Sequence, residues 1–100
     1  MFDQEIISEQ EIRKEKEKAR QLRRSAWWAR KTGSGRCYYC NMKVGRDNLT
    51  MDHIVPISRG GKSRKGNIVP ACKECNNKKK ALLPIEWEEY LLKIAEKSPE

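Results

Sequence analysis

The apolar positions change rhythm along the chain, and each rhythm predicts a different element. Over residues 4–31 they are sparse, with Ile12, Ala19, Leu22, Trp27 and Trp28 scattered among Glu, Lys, Arg and Gln and no Gly or Pro between them. Such a run predicts one long helix, supported by Glu9 and Arg13 at i, i+4 and stopped by Gly33-Ser34-Gly35. Only its C-terminal part carries enough apolar surface to dock on a core. From Arg36 the texture shifts to short segments between turns, among them Gly45-Arg46-Asp47-Asn48, Ser58-Arg59-Gly60-Gly61 and Lys65-Gly66. Alternation places one strand over 49–55, with Leu49, Met51, His53 and Val55 on one face, and a second over 67–70. A helix follows from Cys72 or Cys75 to about Leu83, where Pro84 ends it and opens another. In that last helix Trp87, Leu91 and Ile94 recur at i, i+4, i+7, a stripe expected to pack on the domain.

Composition adds a constraint that periodicity does not contain. At 100 residues, with 37% hydrophobic against 36% charged and a single Phe, the chain builds only a small core and needs a covalent or metal staple. We expect a single domain, with an N-terminal basic helix over 1–34, a core over 35–83 and a C-terminal helix and tail over 84–100. The net charge of +8 is uneven: residues 37–80 hold 10 basic and 3 acidic side chains, whereas residues 81–100 hold 2 and 5. A basic excess in the middle of the chain favours a polyanion, nucleic acid above all, through counterion release. No basic helix is paired with a broad apolar face, so a membrane surface is disfavoured as partner. No apolar run approaches the roughly 20 residues of a spanning helix, and the acidic start does not resemble a signal peptide, so a cytoplasmic location is expected.

Four cysteines in two pairs, Cys37-x-x-Cys40 and Cys72-x-x-Cys75, supply the staple. Two residues between thiols let a tight knuckle aim both sulfurs at one ion, and a pair at a helix start gains from its free amides, so tetrahedral Zn²⁺ is favoured over disulfides in a reducing compartment. Zinc knuckles serve many functions, so the pairs alone say little about activity. The segment inserted between them says more. It contains the only histidine, His53, directly after Asp52, and Asn76 follows Cys75.

These groups match the needs of phosphodiester hydrolysis: an activated water, a cation against the developing charge and a grip on the strand. His53 suits a general base, with its ordinary pKa near neutrality. Asp52 and Asn76 offer hard oxygens to Mg²⁺ or Mn²⁺, with Asn77 a competitor for the second position. Asn67 is assigned to structure, holding the loop after His53. Neighbours in a strand face opposite ways, so Asp52 and His53 share one site only if the strand bends or the metal sits at its edge. Arg59, Lys62, Arg64, Lys65, Lys78, Lys79 and Lys80 are the expected phosphate contacts.

The run Cys37-x-x-Cys40, Asp52-His53-Ile54-Val55-Pro56, Ser58-Arg59-Gly60-Gly61, Asn67 and Cys72-x-x-Cys75-Asn76-Asn77-x-Lys79 resembles the HNH endonuclease family, in its small stand-alone bacterial and phage members. The resemblance covers about residues 36–80. It implies an α+β fold, a zinc-stapled, treble-clef-like ββα-metal unit here flanked by N- and C-terminal helices, and divalent-metal-dependent DNA cleavage. By position it makes His53 the general base, Asp52 and Asn76 the ligands of Mg²⁺ or Mn²⁺, Asn67 the Asn that orients the loop, and the cysteines the Zn²⁺ site. Where many members carry a third-position His, this chain has Asn76. The expected function is a DNA endonuclease that nicks one strand per encounter, as a monomer rather than a homodimer joined through Trp27, Trp28, Trp87 and Leu91. A non-catalytic zinc module that binds nucleic acid is the alternative, disfavoured by the Asp52-His53 pair.

Overall fold

A computed structural model describes residues 7–97; residues 4–6 of the expected first helix and the tail at 98–100 lie outside them. The N-terminal segment forms two helices, α1 (Glu9–Arg23) and α2 (Ala26–Lys31), where the sequence pattern predicts one. Ser25 makes the break. Its hydroxyl donates to the Leu22 carbonyl at 2.6 Å and accepts the Trp28 N–H at 3.3 Å, so one side chain closes α1 and caps α2. α1 starts at a capping box, with Ser8 and Glu11 exchanging backbone N–H bonds. Its intrahelical ion pairs are Glu15 with Lys18 and Glu17 with Arg20, in place of the expected Glu9 and Arg13. The break matters because it lets α2 bury Trp28 while α1 lies across the loop that follows His53.

Two antiparallel strands, β1 (Leu49–His53) and β2 (Ile68–Cys72), form the sheet, paired from Leu49 with Cys72 to His53 with Ile68. Both boundaries differ from expectation. β1 stops at His53 because Val55 is bound on both backbone groups by the Asn67 side chain, and Asn67 is therefore outside the ladder. β2 continues through Pro70, which is tolerated in a two-stranded sheet where each strand is an edge, and its carbonyl accepts the Tyr38 N–H at 2.8 Å.

Helix α3 (Lys73–Lys79) begins where predicted, with Cys72 as its cap, but ends short of Leu83 because Lys80 turns to φ 49°. Helix α4 (Pro84–Lys97) opens on Pro84. Of its predicted stripe only Trp87 is buried, edge-on to Tyr39 and stacked on Tyr90; Leu91 and Ile94 remain 44% and 41% exposed. With Trp28 and Trp87 inside the fold, neither is available to the homodimer contact considered above. No helix among the described residues is long and apolar enough to cross a membrane.

The central apolar cluster consists of Cys37, Ala71 and Cys72, with Tyr39, Val44, Leu49 and Cys75 packed around it. A core made so largely of cysteine and alanine contributes little hydrophobic free energy, in line with the need for a staple. The loop from His53 to β2 is held instead by backbone geometry. Gly60 adopts φ 95°, and a Cβ on Gly61 would sit 1.7 Å from the Val55 carbonyl oxygen. Gly61→Ala should therefore lower the unfolding free energy by about 3 kcal/mol or more in urea titrations. Gly66→Ala, where an added Cβ meets nothing within 4 Å, should stay near wild type.

Candidate active site

The four cysteines come from two places. The knuckle at 37–40 is folded back by Asn41 at φ 62° and by the Cys37 N–H bond to the Met42 carbonyl, and the second pair lies at the β2–α3 junction. Their sulfurs all lie within 4.8 Å of one another, with Cys40 and Cys72 Sγ 3.9 Å apart. A tetrahedral Zn²⁺ with bonds of about 2.3 Å sets its sulfurs about 3.8 Å apart, so the cluster fits this ion. The chemistry of the donors agrees. Burial opposes ionisation of Cys37, yet backbone N–H groups of Cys40, Cys72 and Tyr39 directed at its Sγ bring the thiol down to about 7. Burial first, and then the sulfurs of Cys72 and Cys37, push Cys75 above its ordinary range. Four thiols this close become thiolates together only around a cation.

Asp52 and His53 lie on opposite faces of β1, which stays regularly paired through His53, so the strand does not bend to bring them onto one face. Thr50 and Asp52 point toward α3. Thr50 Oγ1 has a single proton, donated to the Ala71 carbonyl at 2.9 Å, so it accepts from the Asn76 carboxamide, 2.8 Å away. The nitrogen of Asn76 must therefore face Thr50, which leaves the amide oxygen for another partner. Asn77, one position on, is exposed and outside this seam. Asp52 is buried, and its Oδ2 accepts from the Tyr39 hydroxyl at 2.6 Å and pairs with Lys79 Nζ at 3.3 Å. Oδ1 has no hydrogen-bond partner among the described residues. Tyr39, half-buried and bonded to the carboxylate, has its hydroxyl raised above its ordinary range by burial and by Asp52, and stays a donor.

His53 lies on the other face at the end of β1, with Nε2 2.9 Å from Ser63 Oγ. Burial holds the imidazole below its ordinary value, against the opposing charges of Asp52 and Glu15. Asn67 sits beneath, accepting the Val55 N–H and donating to the Val55 and Lys62 carbonyls, so the loop after His53 is where all its hydrogen bonds go.

The seven expected phosphate contacts do not form one set. Lys62, Arg64, Lys65 and Lys80 are exposed; Lys78 pairs with Glu74 at 3.1 Å; Arg59 pairs with Glu86 and donates to the Ala81 carbonyl. Lys79 departs from the surface role altogether. It is fully buried, bound to Asp52 and to the His53 carbonyl oxygen at 3.2 Å, so it belongs to the interior of the site. Tyr39 and Ser63 complete the site without having been singled out in sequence. Tyr39 lies within the first cysteine pair, and Ser63 follows the Gly-Gly turn, but neither spacing reveals its partner.

A two-stranded antiparallel sheet capped by one helix, stapled by four cysteines and carrying an acid-histidine pair at a strand end, defines a small ββα nuclease unit. The HNH endonuclease family model matches residues 37–91, more than half of the chain, and the protein belongs to this family. A stretch of 44 residues is 41% identical to the CRISPR-associated endonuclease Cas9 of Actinomyces naeslundii, covering 43% of this chain and 4% of that protein.

The short bond from Tyr39 to Asp52 ties the cysteine knuckle to β1. Tyr39→Phe keeps the ring packing on Trp87 and removes only the hydroxyl, so it should cost about 2 kcal/mol in unfolding free energy, the range for a hydrogen bond to a charged acceptor. Equilibrium denaturation of the zinc-loaded protein measures this.

Proposed function

We propose that the chain is a divalent-metal-dependent DNA endonuclease in which His53 is the general base. The observation that carries the reading is the pair of single-proton hydroxyls. Thr50 takes the amide nitrogen of Asn76 and Ser63 takes the Nε2 side of His53, so the Asn76 amide oxygen and His53 Nδ1 are both left without a hydrogen-bond partner among the described residues. Asp52 Oδ1 and Asn76 Oδ1 would hold Mg²⁺ or Mn²⁺; Cys37, Cys40, Cys72 and Cys75 would hold Zn²⁺. The hard cation, when bound, supplies positive charge against the phosphate oxygens as negative charge develops. His53 Nδ1 takes a proton from the attacking water. Lys62, Arg64, Lys65, Lys78 and Lys80 grip backbone phosphates on the rim, and Asn67 keeps the loop between them in register.

One His53 and one hard-cation site hydrolyse one phosphodiester at a time, and the two strands of a duplex run in opposite directions, so a monomer nicks before it can cut the second strand. Supercoiled plasmid should turn to open circles well before linear molecules appear, at a rate first order in enzyme. EDTA should stop the reaction and Mg²⁺ or Mn²⁺ restore it. His53→Ala should fold, bind DNA and lose at least about 100-fold in turnover. Concerted linearisation would reject nicking, and a folded His53→Ala protein with wild-type turnover would reject the general base.

The two metals should separate by chelation. Elemental analysis of protein purified under reducing conditions should find about one zinc per chain that survives treatment removing all Mg²⁺, and Cys72→Ala should lack it and unfold. Zinc-free wild-type protein with an intact fold would refute the staple.

A further inference from the structure

Helix α1 lies outside the residues matched to the family, yet it reaches the active site through a buried acid. Glu15 is 5% exposed on a helix otherwise rich in solvated charge. A carboxylate so placed is costly unless bonded, and Glu15 holds both polar groups of one residue in the catalytic loop. Its Oε1 accepts the Ser63 N–H at 2.6 Å, and its backbone carbonyl accepts the Ser63 hydroxyl at 2.5 Å. Ser63 has only one hydroxyl proton. Since a carbonyl can only accept, that proton lies on the Glu15 side, and the 2.9 Å contact between Ser63 Oγ and His53 must be donated by Nε2–H. The run of donors is therefore His53 Nε2–H to Ser63 Oγ–H to the Glu15 carbonyl, and its far end is anchored in a helix of 15 residues.

We propose that α1 is a positioning element of the nuclease: Glu15 fixes Ser63, and Ser63 fixes the tautomer and ring orientation of His53 so that Nδ1 faces the substrate side unprotonated. The inference rests on the reading of His53 as general base. It explains why Ser63 is buried in a loop whose neighbours Lys62 and Arg64 are exposed, and why a charged residue is the contact through which α1 docks there. A general base must be held in the geometry of attack, and loss of that geometry costs turnover without weakening DNA binding.

His53 is the only histidine in the chain, so its imidazole nitrogens can be read without assignment ambiguity. In the folded, zinc-loaded full chain, long-range proton–nitrogen NMR at neutral pH should show one tautomer, protonated at Nε2 and bare at Nδ1. A wild-type protein protonated at Nδ1 overturns the proposal, and this measurement needs no variant. Ser63→Ala removes the acceptor for Nε2–H while keeping the Ser63 backbone bond to Glu15. It should move both nitrogen shifts toward a tautomer-averaged pair and lower kcat by about 10- to 100-fold with KM for DNA unchanged. Glu15→Gln retains an oxygen for the Ser63 N–H and should keep most of the kcat that Glu15→Ala loses. A folded Ser63→Ala protein with wild-type kcat, or with unmoved nitrogen shifts, overturns the positioning role. An inactive His53→Ala beside a fully active Ser63→Ala defeats this role alone, whereas an active His53→Ala defeats the general-base reading beneath it.

Discussion

The convergence of four sulfurs within 4.8 Å is the constraint on which the rest of the molecule depends. Two of these cysteines, Cys37 and Cys72, are also the centre of the apolar cluster, so the ion site and the core are the same place. The Asp52 and Asn76 side of the candidate site is attached directly to it. Tyr39, between the first pair, reaches Asp52; Tyr38, beside it, bonds the β2 backbone at Pro70; Cys72 caps α3; and Asn76 follows Cys75 in that helix. A chain this small cannot position a strand and a helix to a few tenths of an ångström by apolar packing alone. The sulfur cluster does so by fixing the angle between β2 and α3, and with it the distance from Asn76 to Thr50.

A second economy of the structure is its use of hydroxyl groups as one-way connectors. Thr50 and Ser63 each have one proton, each donates it to a backbone carbonyl, and each therefore presents only a lone pair to the functional side chain beside it. The consequence for Asn76 is that its amide nitrogen faces Thr50, and for His53 that Nε2 carries the shared proton. Neither orientation follows from the functional residue itself. Both are imposed by the acceptor that the neighbouring hydroxyl has already chosen, and in each case that acceptor belongs to a rigid element, β2 for Thr50 and α1 for Ser63.

What could be read in the sequence follows the range of the interactions involved. The cysteine pairs, a helix start at the second of them, the opening of α4 at Pro84 and the existence of two strands are set by local spacing, and they were legible. The helix break at Ser25 was not, because a serine in a Lys/Glu-rich run is neutral until its hydroxyl closes one helix and opens the next. The strand ends were displaced because Asn67 uses its side chain on Val55, a contact that propensity does not see. Leu91 and Ile94 share a helical face with Trp87, but only Trp87 finds partners on the domain, a tertiary outcome that periodicity does not contain. Glu15 and Lys79 were hidden most completely, since a Glu or Lys among many others reads as a solvated face, and only tertiary contact distinguishes the buried member of each group.

Lys79 changes how the hard-cation site should be understood. A carboxylate at 6% exposure would be strongly destabilising if unpaired, and the fully buried Lys79 ammonium, with the Tyr39 hydroxyl, satisfies Asp52 Oδ2 within the chain itself. The seam between β1 and α3 is thus electrostatically complete before any Mg²⁺ or Mn²⁺ arrives. What remains for such an ion is one carboxylate oxygen and one neutral amide oxygen, in the field of a nearby lysine. Few ligands, little net charge and a repelling neighbour all weaken retention and leave coordination positions to water and phosphate. Four thiolates around Zn²⁺ have the opposite properties, closed and highly charged. On the proposed reading the same short chain would separate a permanent structural ion from an exchangeable one by donor chemistry alone, with the lysine that loosens the second site contributed by the helix that follows the second cysteine pair.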